Sequence, residues 1–215
     1  MGTSYEHAML GGTLALAVGA HRRHGWPLVI TAGAAAALPD WDGLSLAFGP
    51  MAYSAAHRVW GHNLLAALLG GGLAGALGYL CHHSARVRGK TRTLLEKLGQ
   101  PPAAPQPPPP SSAHALAVWV VVGVLAGLSH LPADVIYGSS PGAGSWPVPL
   151  LWPFSPRGWS LPLLGWGDLG PTLVFIGEMF ALYRWPARAQ LLAWVTLFAV
   201  LGYLAIRWAI AAVWV

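Results

Sequence analysis

The sequence predicts an all-α, polytopic integral membrane bundle of about six transmembrane or membrane-embedded helices. Three observations predict it. Only 9% of the 215 residues are Asp, Glu, Lys or Arg, against about 25% in ordinary soluble domains. Hydrophobic types make up 55% of the chain, and mean hydropathy is +0.52. The apolar residues also fall into six separate runs, near 8–20, 27–39, 63–81, 113–131, 170–184 and 189–214. The third, fourth and sixth runs are long enough to cross about 30 Å of hydrocarbon. The first, second and fifth are short, and are expected to be tilted, extended by flanking residues, or sunk beside a polar cavity. The composition excludes a disordered chain. The single cysteine, Cys81, excludes a disulfide framework and a cysteine-based zinc site.

The whole chain, 1–215, reads as one membrane domain. A net charge of +5 could suggest a nucleic-acid partner, but no basic-aromatic binding motif appears, and the cations sit in short blocks between apolar runs. Arg22 and Arg23 follow the first run, Arg86, Arg88, Lys90, Arg92 and Lys97 follow the third, and Arg184 and Arg188 join the fifth to the sixth. Basic loops stay in the cytoplasm. Alternation then gives a basic, Pro-rich cytoplasmic loop at 82–112 and a non-cytoplasmic aromatic loop at 135–168. Gln100–Ser112 is too rich in proline for a helix. No cleaved signal peptide is expected, since no basic residue precedes the first run. Gly11, Gly12 and Gly70–Gly72 are expected at close helix contacts. Arg207, inside the sixth run, is expected to snorkel or to meet an acid.

The seven acids carry the most information, because an ionisable group at membrane depth costs roughly 2.5–3.5 kcal/mol on insertion scales. Asp40, Asp42, Asp134 and Asp168 all sit at predicted non-cytoplasmic ends of apolar runs, and Glu6 precedes the first run on that side. Glu178 lies inside the fifth, as an expected buried partner of an Arg or His. Glu96 lies in a basic loop. His7, His57, His62 and His130 share the acids' side. His21, His24, His82, His83 and His114 belong to the other side, as solvated or headgroup residues. Imidazole and carboxylate together suit Zn, Mn or Fe. Candidate metal ligands are therefore His7, Asp40, Asp42, His57, His62, His130, Asp134 and Asp168.

The motifs have internal logic. In Pro39-Asp40-Trp41-Asp42, proline stops the helical pattern, so the carboxylates are expected in turn or extended geometry. One can ligate a metal while the other ligates a second metal or orients a histidine. In His57-Arg58-Val59-Trp60-Gly61-His62, Gly61 can break the turn, placing His57 before a helix and His62 at its start. Arg58 can hold a phosphate or pair with an Asp. His130 and Asp134 are i and i+4, one helical face, unless Pro132 kinks them apart. The aromatic stretch Ser145–Trp159 can act as a lid or an interfacial anchor, and Arg157 is its only charge. There is no Gly-rich phosphate loop and no nucleophile elbow.

The ordered set Glu6-His7, Pro39–Asp42, His57–His62, His130–Asp134 and Leu150–Ser155 resembles the bacterial YdjM-like membrane-bound metal-dependent hydrolases. The family often has HRGxTH where this chain has Val59 and Gly61, and aliphatics where Pro132 stands. Its His/Asp pattern, above all HxxxD, is similar to that of zinc-dependent phospholipases C and single-strand-specific nucleases. The resemblance implies a bacterial inner-membrane location and two or three divalent ions, zinc first, with manganese or iron as alternatives.

The expectation is a metal-dependent hydrolase that cleaves a phosphoester of a membrane lipid or lipid-linked substrate, at a site on the non-cytoplasmic side. Asp42 is the expected proton acceptor, and Arg58 and Arg157 the expected phosphate holders. Two alternatives stand beside it. One is a transporter using intramembrane acids. The other is a non-catalytic protein whose metal only holds helices together.

Overall fold

The computed structural model describes residues 3–85, 87–90, 93, 111–140, 144–161, 163–165 and 167–213. Arg86, Arg92, Glu96, Lys97 and the 100–110 part of the proline-rich stretch lie outside them. Each apolar run becomes a helix. These are α1 (Ser4–Ala17), α3 (Trp26–Ala37), α5 (Leu64–His83), α6 (Ala113–Ile136), α7 (Gly170–Arg184) and α8 (Ala189–Val213). Two short helices fill connections, α2 (Ala20–His24) and α4 (Pro50–Ala56), with 3₁₀ stretches at Leu38–Phe48 and Pro186–Arg188. The one departure from an all-helical fold among the described residues is a two-residue antiparallel ribbon, Ser139–Ser140 against Gly144–Ser145.

Three helices are long and apolar enough to cross a membrane, at Leu64–His83, Ala113–Ile136 and Pro186–Ala212. By contrast α1, α3 and α7 have 14, 12 and 15 residues, which at a rise of about 1.5 Å each fall short of the hydrocarbon thickness. They end where polar side chains gather. α1 starts at a capping box, with the Thr3 side chain accepting from Glu6 N–H and Glu6 accepting from Thr3 N–H. Glu6 also accepts from Thr172 at 2.6 Å and Tyr137 at 3.3 Å. The first turn of α1 is thereby tied to α7 and to the end of α6, which fixes the position of His7.

The bundle packs through small residues, as lipid-embedded helices do when van der Waals contact must replace the hydrophobic drive. Gly71 and Gly75 on α5 face Gly123 and the Trp119 carbonyl on α6, so closely that a Cβ at Gly71 or Gly123 would overlap the partner backbone. Gly11 meets Ala32 and Ala36 across the α1–α3 contact. Leu16, Leu28, Ala32, Trp119 and Ala126 fill the core that α1, α3 and α6 share.

The two ends of the bundle differ in chemistry. At one end the Tyr79 hydroxyl donates to the Ser112 carbonyl, Gln190 donates to the Ala17 carbonyl, and His82 stacks on Trp119. These contacts bring the end of α1, the end of α5 and the starts of α6 and α8 together, with Arg22 and Arg23 on the neighbouring α2. The opposite end receives the start of α1, the 3₁₀ stretch after α3, the start of α5 and the end of α6. Four turns of chain, each with its own imidazole or carboxylate, meet there.

Candidate metal centre

Each candidate ligand is delivered by a local feature of the sequence. His7 sits one residue past the α1 capping box. Pro39 ends α3, and of the turn or extended geometry expected the chain takes the turn, as a tight 3₁₀ coil from Leu38 to Phe48. That coil turns Asp40 and Asp42 toward the bundle. α4 ends at His57 as its C-cap, and the chain then passes through Arg58 at φ +65°, a left-handed position rare for a non-glycine residue. Asn63 caps α5 by accepting from Ala66 N–H at 2.8 Å, which sets His62 just outside the helix. α6 runs through Pro132 to Ile136, so His130 and Asp134 stay on one face, with Nε2 and Oδ2 3.7 Å apart.

These side chains converge. His62 Nε2 lies 3.0 Å from Asp134 Oδ2 and 3.3 Å from Asp40 Oδ1. His130 Nε2 lies 3.7 Å from both carboxylates. His7 Nε2 lies 3.2 Å from Asp134 Oδ1, and its ring stacks on His130 with centroids 3.6 Å apart. Asp134 thus bridges His7 on one oxygen and His62 with His130 on the other. Three trios place their donor atoms within 4.8 Å of one another: His7–His130–Asp134, Asp40–His62–His130 and Asp42–His57–His62. All of these residues are buried apart from Asp40, which is 16% exposed.

The donor set fits a divalent cation. His130 Nδ1–H donates to the Ala36 carbonyl at 2.7 Å, and His62 Nδ1–H donates to Asp42 at 2.9 Å. Both bonds fix the tautomer and turn the Nε2 lone pairs inward, the arrangement second-shell partners give metal-binding histidines. The Nε2 atoms of His7, His62 and His130 are buried without a hydrogen-bond partner. A buried polar atom left unpaired costs about 1–3 kcal/mol. Three such atoms around two carboxylates are what a cation would satisfy. Charge points the same way. Asp40, Asp42 and Asp134 stand against the single guanidinium of Arg58, which pairs with Asp134, so the cluster carries an excess of negative charge for a cation to balance.

Asp42 plays a different part from Asp40. Its Oδ1 accepts from His57 at 2.8 Å, and its Oδ2 from His62 and from Gly61 N–H at 2.9 Å. Burial alone would raise its carboxyl, but these donors hold it down at about 2. A carboxylate so weakly basic, with both oxygens engaged, is a poor proton acceptor, so the role expected of Asp42 gives way to that of a positioning residue. Burial would depress His62, yet the carboxylates of Asp134, Asp40 and Asp42 around it push it up to about 11, so with no cation bound they favour a proton where a metal would sit. Asp40 is held low despite its burial, through His62, His130 and the Ser4 hydroxyl, which donates to it at 2.6 Å. The site favours positive charge at the imidazole edge. The expected result for Asp42→Asn is metal affinity about 10–100-fold weaker at unchanged stoichiometry, as for other second-shell losses. A metal titration measures it, and full affinity would place Asp42 outside the support of His62.

Three expected site residues lie outside the cluster's set of donor atoms. Asp168 is away from the cluster. It accepts from Tyr203 at 2.6 Å and from Gly170 N–H at 2.9 Å, and lies 3.6 Å from Arg207. Asp168 is therefore the acid Arg207 meets, and it reads as a ligand in sequence only because it shares an end of the chain path. Arg157 is exposed and stacks on Trp159 at 4.7 Å. Arg58 is 1% exposed. It donates to the Trp146 and Tyr137 carbonyls at 2.8 and 2.9 Å and lies 3.4 Å from Asp134. It is a clamp holding the aromatic loop against the cluster, with no free fork for a phosphate. Glu178 finds a hydroxyl where an Arg or His was expected, accepting from Thr13 at 2.6 Å. The residues that sequence reasoning missed are the Ala36 carbonyl and Tyr53, which stacks on His57 at 4.5 Å. Gly61, expected only to break the turn, also donates its N–H to Asp42.

No curated protein and no solved structure matches the chain. Residues 1–213 match the family described as YdjM inner membrane protein, so the chain that builds this buried His/Asp cluster belongs to the YdjM family of inner membrane proteins.

Proposed function

We propose that the protein is a membrane-embedded, metal-dependent hydrolase that adds water across a phosphoester bond of a lipid or lipid-linked substrate. The observation that carries this reading is the set of inward, unpartnered Nε2 atoms on His7, His62 and His130 around Asp40 and Asp134. Asp40, His62, His130 and Asp134 would hold one divalent ion, zinc first, and His7 with the far oxygen of Asp134 would reach a second. A divalent ion there supplies Lewis acidity to a phosphoryl oxygen and acidifies bound water.

The chain's own groups do the rest. Asp42 and the Ala36 carbonyl orient two imidazoles, and Arg58 closes the aromatic loop over the cluster. Arg157 stands as an exposed cation for a headgroup phosphate. By the basic-loop rule all six helices embed in the membrane, three as full spans, and the cluster faces the non-cytoplasmic side, where headgroups lie. His62→Ala should lose metal and phospholipid-hydrolysing activity together, measured by elemental analysis and by product release from phospholipid vesicles. Full metal content in the variant would refute the site.

The depth of burial favours one second reading, in which a closed shell of ligands staples the helices. Metal-loaded wild type with no hydrolysis of any phospholipid or simple phosphodiester, and a lower unfolding temperature after chelation, would select that reading.

A further inference from the structure

The 3₁₀ stretch Leu38–Phe48 and α4 form a hairpin beside the cluster, and residues 43–56 of it carry no charged side chain. Its large apolar residues are turned outward. Leu44, Phe48 and Met51 are 74, 85 and 86% exposed, with Trp41 and Trp60 about half exposed. Between the two arms lies a groove of about 390 Å³, lined chiefly by Trp41, Leu44, Phe48, Ala52, Ala55 and Trp60. That volume lies within the roughly 300–1,000 Å³ of small-ligand sites. Besides the two indoles, the side-chain polar groups on its wall are Ser45 and Asp42. The Ser45 hydroxyl donates to the Asp42 carbonyl, and both Asp42 carboxylate oxygens are engaged by His57, His62 and Gly61.

We infer that this groove receives a hydrocarbon chain of a membrane lipid, an inference that rests on the hydrolase reading for its purpose but not for its chemistry. Three features commit it to that occupant. The walls are predominantly apolar, the rim is exposed hydrocarbon and tryptophan in a protein that spans a membrane, and no cation lines the groove to fit an anionic ligand. An acyl chain gains little by leaving bilayer for groove, since both are apolar. The groove therefore gives position more than affinity. It shares Asp42 with the cluster, so a lipid held there has its polar end next to the metal ligands. The hairpin would thus select amphiphiles with a single chain free to enter, and set which ester reaches the cluster.

The test uses the full chain in lipid nanodiscs containing a phosphatidylglycerol with a diazirine at the end of one acyl chain. Photolabelling is mapped by peptide, with the outward face of α8 around Trp194 and Phe198 as the reference for ordinary lipid contact. The expected result is enrichment of label on peptides from 41–60 over that reference. Ala52→Trp and Ala55→Trp, which fill the groove from its α4 wall, should each lose the enrichment while keeping full metal content. Label no denser than on α8, or unchanged in both variants, overturns the inference. Enrichment in a metal-loaded wild type that hydrolyses nothing would leave the groove standing while the hydrolase reading falls.

Discussion

Asp134→Ala is expected to remove bound metal completely and to lower the stability of even the chelator-treated protein by about 3–5 kcal/mol, the usual cost of stripping one member from a buried ion pair. The size of the effect follows from how many groups share this carboxylate. One oxygen faces His7 at 3.2 Å and Arg58 at 3.4 Å, and the other faces His62 at 3.0 Å and His130 at 3.7 Å. Asp134 is 3% exposed and Arg58 1%, so no water can replace the lost charge. The guanidinium would stay buried with only the Trp146 and Tyr137 carbonyls to balance it, and the aromatic loop it clamps would loosen. Thermal unfolding in detergent, with and without chelator, reads the stability, and elemental analysis reads the metal. A second variant separates the two roles. Replacing both partners, Arg58→Met with Asp134→Leu, removes the charge imbalance and should recover part of the stability, since apolar replacement of a whole buried pair is often neutral. It should recover no metal. If Asp134→Ala unfolds like wild type in chelator, Arg58 has another partner and the clamp is misassigned.

The sequence announced the bundle more clearly than it announced the site's wiring. Six apolar runs became six helices because in lipid the backbone must satisfy its own hydrogen bonds, so an apolar run has little choice of structure. The charge contrast between ends was legible for a related reason. Four of the expected ligand motifs lie at alternate helix ends, and antiparallel packing can only bring alternate ends together. His7, Asp40, Asp42, His57, His62, His130 and Asp134 therefore met as expected. The rest depended on distances of a few ångströms that no spacing encodes. Asp168 lies at a predicted end like the others, but it meets the Tyr203 hydroxyl and Arg207 on α8 before it can approach the cluster. Arg58 reads in the sequence as a phosphate holder or the partner of an Asp, and it takes the second role, beside Asp134. Its left-handed backbone and the carbonyls of Tyr137 and Trp146, some eighty residues away, turn it inward. Asp42 looked interchangeable with Asp40. They part because a 3₁₀ coil, not an extended turn, puts residues two apart on different sides, one toward His130 and one toward His57.

That coil is held in place by a glycine, and Gly61→Val is expected to disconnect the site while sparing the bundle. A Cβ at position 61 would overlap the Pro39 carbonyl and come within 3.2 Å of an Asp42 carboxylate oxygen. The obstructing atoms are backbone, so no rotamer change relieves the clash. Overpacking of this kind costs about 1–3 kcal/mol, occasionally more. The chain has one cheap response, which is to move the Pro39–Asp42 turn away from the start of α5. Movement there breaks the bond from Gly61 N–H to Asp42 and lengthens both His62–Asp42 and His62–Asp40. The α5–α6 contact through Gly71 and Gly123 lies farther along the helices and should be unaffected. Helical content should therefore match wild type by circular dichroism, while metal stoichiometry falls to that of His62→Ala. Gly61→Ala should show the same pattern, since the clash is already complete at Cβ. A variant that keeps its metal would mean that the 3₁₀ stretch can shift without carrying Asp40 and Asp42 along. The carboxylates would then owe their positions to the cation rather than to the fold.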